Sequence, residues 1–172
     1  MICLKILGFD LAGKSSNPTT ICILNDDKIE FITVSFDKQI LEISRVFKPD
    51  IIAIDAPIMQ GKPKIRKADK LLKKYGAFPP SLSGMNSLTL RGSKIVKQLR
   101  TKYKIIEVFP TATAKILKIF NRNYKETAMN LDIKVKNKHE LDSYLCCLTA
   151  KMYLEGKTVE IGDEAGKIIV PK

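Results

Sequence analysis

The sequence has no tryptophan, one histidine and four cysteines. The cysteines, Cys3, Cys22, Cys146 and Cys147, form no C-x-x-C pair, and two are adjacent. That spacing argues against a disulfide framework and for reduced core thiols in a cytoplasmic protein. No uncharged apolar run approaches the ~20 residues a membrane span needs, which argues against a membrane partner. The apolar N-terminus carries Lys5 and Asp10, so it reads as a strand and not a signal peptide. Internal repeats and long linkers are absent too. Acid is scarce: eighteen Asp and Glu face thirty Lys and Arg, a net charge of +12. Lysine-rich, glutamine-poor chains are common among heat-adapted proteins, but there acid rises with base. The surplus here points to a polyanion or an anionic substrate.

What is present suits one domain over residues 1–172 with a full hydrophobic core. Two apolar stretches end alike. Ile6-Leu7-Gly8-Phe9 runs into Asp10, and Ile51-Ile52-Ala53-Ile54 runs into Asp55. Each acid is followed within two residues by alanine and then by a breaker. Both stretches read as strands buried on two faces, so the pattern predicts neighbouring strands that bring two carboxylates to one edge.

Further strands are predicted over 2–9, 19–25, 29–35, 51–55 and 104–109, the second and third as a hairpin. Helices are predicted over 38–47 with Asp37 as cap, over 64–75 as a strongly basic helix with Ile65, Ala68 and Leu72 inward, over 88–102, in one or two pieces within 112–130, and over 138–154. Asn137 and Glu140 mark the start of the last helix and Gly156 its end. Residues 76–87 read as an exposed loop, and two short β pieces close the chain. This order predicts a three-layer α/β/α fold with a mixed five-stranded sheet ordered 3-2-1-4-5.

Carboxylates that close repel unless a proton or a cation intervenes. Sites that hold Mg2+ or Mn2+ for phosphoryl transfer use such an arrangement. Further candidates are Glu107, near the end of the fifth strand, and Asp142, three residues after His139 on one helix face. His139 could orient a water or relay a proton. Each also has an ordinary structural role open to it: turn hydrogen bonds for the aspartates, a lysine partner for Glu107, a plain surface position for His139.

The succession Gly8-Phe-Asp-Leu-Ala-Gly13, Ile54-Asp-Ala-Pro-Ile58, Arg66 with Asp69, Glu107-Val-Phe-Pro-Thr111, His139-Glu-Leu-Asp-Ser-Tyr144 and Ile161-Gly-Asp-Glu-Ala-Gly-Lys-Ile168 resembles a family of predicted nucleases with a ribonuclease H-like fold. The resemblance spans Leu7 to Pro171. It implies a metal-dependent hydrolase of nucleic-acid phosphodiesters. Asp10, Asp55 and Asp142 would be its Mg2+ or Mn2+ ligands and His139 would stand as in resolvases of the RuvC type. Glu107 falls in one of the motifs but outside the usual acid set of that fold.

Gly8 to Ser15 also fits the phosphate-loop pattern G-x-x-x-x-G-K-[ST]. That loop must open a helix, whereas the β-branched run after Pro18 predicts a strand. A single-domain nucleotide-binding protein of the sugar-kinase and actin-like class is one alternative function. A non-catalytic nucleic-acid-binding module is another. DNA or RNA contacts are expected from Lys14, Lys62, Lys64, Arg66, Lys70 and Arg91, with only Tyr75 and Phe78 beside the basic stretch to stack bases. The oligomeric state is open, a homodimer included.

Overall fold

A computed structural model describes residues 4–14 and 16–172. Cys3, the start of the expected first strand and Ser15 of the phosphate-loop match lie outside them.

Five strands form one mixed sheet: β1 (Lys5–Asp10), β2 (Thr19–Asn25), β3 (Lys28–Val34), β4 (Ile51–Ile54) and β5 (Lys104–Glu107). Their order is β3-β2-β1-β4-β5, as the sequence predicts. The β1 strand pairs antiparallel with β2 and parallel with β4, which pairs parallel with β5.

Alternation along β1 explains how both faces are buried. Leu7 and Phe9 face α1 (Asp37–Phe47) and α3 (Ser83–Leu99), through Ile40, Ile95, Val96 and Leu99. Ile6 faces the other side, where α6 (Lys138–Leu154) packs Cys146, Cys147 and Ala150. Gly8 is what lets α6 come so close: a Cβ there would sit 2.2 Å from the Ser143 carbonyl oxygen and 2.9 Å from the Cys147 nitrogen. The α6 helix starts where expected. Asn137 Oδ1 accepts from the Glu140 amide at 2.9 Å, and Glu140 Oε2 accepts from the Lys136 amide at 2.7 Å. Cys22, Cys146 and Cys147 are free, buried thiols.

The second layer of structure is smaller. Strands β6 (Thr158–Asp163) and β7 (Gly166–Pro171) make an antiparallel hairpin. It buries Ile168 and Val170 against Ala68 and Leu72 of the 67–72 segment and Ala112 of α4 (Pro110–Ile116). The α5 helix (Tyr124–Asn130) adds Ala128 to a further cluster with Leu141 and Leu145 of α6. Among the described residues no helix is long and apolar enough to cross a membrane.

Three local expectations need correction. The basic helix expected over 64–75 is only α2 (Lys67–Leu71), followed by a 3-10 turn at Lys73–Tyr75. Arg66 is extended and its amide is bonded to Asp69 Oδ2 at 2.8 Å, so helix cannot begin earlier, and Ile65 is half exposed. The α3 helix begins at Ser83, inside the expected loop, because its first turns pack on the chain after β1, with Gly13 against Gly84 and Leu88. Asp37 is not the cap of α1 but its first residue. Gln39 Oε1 instead accepts from the Ser35 and Phe36 amides, both at 3.1 Å.

Candidate functional site

The edge at which β1 and β4 end is acidic. Phe9 and Ile54 are partners in the parallel register, and the Asp55 amide donates to the Phe9 carbonyl at 2.9 Å. Asp10 and Asp55 therefore leave adjacent strands at the same level, with neighbouring backbones ~4.8 Å apart. The α6 helix supplies the third carboxylate. Cys146, one turn after Asp142, sets its thiol 3.7 Å from the Phe9 carbonyl and thereby fixes the helix over the strand ends. His139, on the preceding turn, places Nδ1 2.6 Å from Asp10 Oδ2.

Burial and mutual repulsion set the protonation of these acids. Burial raises Asp10, against the opposing pull of its hydrogen bond to His139 and the charges of His139 and Lys138. Burial, then the charges of Asp10, Asp142 and Glu107, hold Asp55 well above the usual carboxylate range. Asp142 is pushed up to about 7 by burial and by Asp10, with Lys138 and His139 opposing. Lys138 Nζ stands 3.9 Å from Asp142 Oδ2 and is itself mostly exposed. Cation is thus in short supply at this edge. Among the described residues, no three His, Cys, Asp or Glu side chains are gathered closely enough to hold a metal ion as they stand. Asp10 is turned to His139 instead.

Glu107 ends the next strand but belongs to a different cluster. Arg66 reaches it with Nη1 to Oε2 at 2.7 Å and Nη2 to Oε1 at 2.6 Å. The Ile58 amide donates to the same Oε2 at 2.8 Å. Asp69 takes the other side of the guanidinium, with Nε to Oδ2 at 3.1 Å and Nη2 to Oδ1 at 2.8 Å. Three hydrogen bonds engage the Glu107 carboxylate, so it clamps β5 to the chain after β4. Its charge still reaches the acidic edge, where it helps raise Asp55.

Of the six basic residues expected to meet nucleic acid, Lys14, Lys62, Lys64 and Lys70 are exposed. Arg66 and Arg91 are not. Arg66 is 2 % exposed, within the cluster just described. Arg91 donates from Nε to Asp37 at 2.8 Å and from Nη1 to the Ala12 carbonyl at 2.6 Å and the Lys14 carbonyl at 3.3 Å. It holds the loop after Asp10, while its neighbour Gly92 packs against the chain after Asp55. A Cβ on Gly92 would sit 2.8 Å from that of Ala56. Arg66 and Arg91 were missed as positioning groups, although the i,i+3 spacing of Arg66 and Asp69 offered a hint. The phosphate-loop match opens no helix: Thr19–Asn25 is a strand.

The chain matches no family model, no curated protein and no solved structure.

Proposed function

We propose that this protein has a ribonuclease H-like core and hydrolyses nucleic-acid phosphodiester bonds with Mg2+ or Mn2+. The observation that carries this reading is the convergence of Asp10, Asp55 and Asp142, from β1, β4 and α6, on one sheet edge with too little protein cation to balance them. The donor chemistry fits: carboxylate oxygens are the ligands that Mg2+ and Mn2+ prefer. Asp10, Asp55 and Asp142 would hold the ion. When bound, it would stabilise charge on the phosphoryl oxygens and lower the pKa of a water.

The rest of the site follows from this chain's own groups. Asp10 fixes His139 through Nδ1 and leaves Nε2 for proton transfer, on a side chain that is 66 % exposed. Arg91 and Gly92 seat α3 against the two loops that leave Asp10 and Asp55, so the carboxylates are presented from a rigid edge. The net charge of +12 favours a polyanionic substrate.

The test is cleavage of labelled single- and double-stranded DNA and RNA with Mg2+, with Mn2+ and with EDTA. The reading expects ion-dependent cleavage of at least one substrate, abolished by Asp55→Asn. Absence of cleavage with both ions, or equal cleavage by Asp55→Asn, contradicts it.

A further inference from the structure

A groove of about 1350 Å³ lies beside β5, the edge strand of the main sheet. One wall is α3 with its C-cap, which present Lys94, Lys97 and Arg100. These residues follow at i, i+3 and i+6, so they form a stripe on one helix face with a rise of ~4.5 Å between successive members. Lys104, at the start of β5, and Lys64, on the chain after β4, extend the cationic lining. All five are exposed, and among the described residues none of them makes an ion pair.

The opposite wall is the β6–β7 hairpin, and it carries the other sign. Glu160 there is neutralised by Lys167 at 2.7 Å, which leaves Asp163 and Glu164 at the hairpin tip. A polyanion in this groove is drawn to the α3 and β5 side and repelled from the hairpin. The groove neighbours the acidic edge along the chain, although Asp10, Asp55 and Asp142 do not line it. Ile58 and Met59, three and four residues after Asp55, line it. The Met59 amide is tied to Ser93 Oγ of α3 at 3.0 Å, and the Ile58 amide to Glu107.

We propose that this groove is the binding track for the sugar–phosphate backbone of a single nucleic-acid strand, with Lys94, Lys97 and Arg100 as its phosphate contacts. The proposal rests on nucleic acid being the substrate of the acidic edge, and of the six basic residues expected from the sequence it keeps only Lys64 in the track. Tyr153, beneath Lys104 with its ring centroid 5.4 Å from Nζ, is the one aromatic among the described residues that line the groove. Recognition is therefore of backbone and not of base sequence.

The experiment is fluorescence-anisotropy titration of labelled single-stranded DNA and RNA oligonucleotides in EDTA, across a salt series. Three proteins are compared: the wild type, the triple variant Lys94→Glu/Lys97→Glu/Arg100→Glu, and the charge-matched triple variant Lys67→Glu/Lys70→Glu/Lys73→Glu. The groove variant is expected to bind at least about tenfold more weakly. Its slope of log affinity against log salt should flatten by about 2, the loss of three contacts at ~0.7 each for a single strand. The 67/70/73 variant is expected to keep most of the affinity and slope. Substituting the three groove residues with Gln guards against misfolding; it should flatten the slope by about the same 2, since the same three cations are lost, with a smaller loss of affinity. Equal losses in the two Glu variants, an unchanged slope in the groove variant, or no binding by the wild type overturns the proposal.

Cleavage separates this outcome from that of the acidic edge. A groove variant that binds normally, together with an inactive Asp55→Asn, refutes the groove alone. A groove variant that fails to bind, together with a wild type that cleaves nothing with either ion, refutes the nuclease alone.

Discussion

The molecule contains two clusters of buried or partly buried acids within one strand spacing of each other, and they are balanced differently. At the end of β5, Glu107 and Asp69 share the guanidinium of Arg66. Burial works against the charge on Arg66, but the hydrogen bonds and charges of its two acids outweigh it and raise its pKa further. Burial also raises Glu107, opposed by Arg66 and by the Ile58 amide. At the ends of β1 and β4, Asp10, Asp55 and Asp142 have only His139 and a largely exposed Lys138 for company. The same fold thus supplies a fitted cation for one cluster and withholds it from the other. A buried acid pair sharing one fitted arginine is left with a single negative charge, while the three acids at the other edge have no fitted arginine at all; the proposed Mg2+ or Mn2+ would supply the missing positive charge there.

The comparison breaks most severely at Arg66. Arg66→Ala leaves Glu107 and Asp69 buried without their partner, and should cost about 3–5 kcal/mol in urea unfolding at neutral pH. The loss should shrink towards pH 5, because the stranded carboxylates can then take up protons. Arg66→Lys should recover only part of it, since an ammonium cannot make the two-pronged bonds to both acids. A loss within ~0.5 kcal/mol for Arg66→Ala would mean that the cluster is not the clamp described.

The acidic edge should respond to pH with a definite sign. Asp142 ionises at about 7 in the folded protein, above its ordinary value of 3.8. Between those values the native state binds more protons than the unfolded chain, so stability falls as pH rises. Asp142 therefore stabilises the metal-free protein fully below its unfolded pKa, and that contribution is lost as pH rises through about 7. Melting curves in EDTA from pH 4 to 8 should show Asp142→Asn with a shallower decline than the wild type. Parallel curves would refute the shift.

Some of this organisation was legible in the sequence for identifiable reasons. The β-branched run Thr19–Asn25 and the caps of α6 announce their elements locally. The matching ends of β1 and β4 gave away their parallel register, because an acid at the tip of a buried strand has no packing role there. Arg66 was illegible because its partner Glu107 lies 41 residues away. Helical periodicity alone turns such an arginine to solvent. The early start of α3 was hidden by Ser83 and Gly84, weak helix formers that tertiary contact with Gly13 overrides. The groove was hidden as well, since Lys94, Lys97 and Arg100 on one amphipathic helix read as an ordinary solvated face until the hairpin is seen opposite.

The claim that the β1–β4 edge lacks a cation is tested most directly by one measurement: the melting temperatures of wild type and Asp55→Asn at pH 8, in EDTA and then with Mg2+ or Mn2+. Asparagine keeps the shape of Asp55 but carries no charge for burial, Asp10 and Asp142 to oppose. The variant should therefore melt higher than wild type in EDTA, and the ions should raise the wild type alone, by mass action on the folded state. An Asp55→Asn protein that melts lower in EDTA and is shifted by the ions as much as wild type would show that Asp55 is a structural aspartate and that the edge needs no metal.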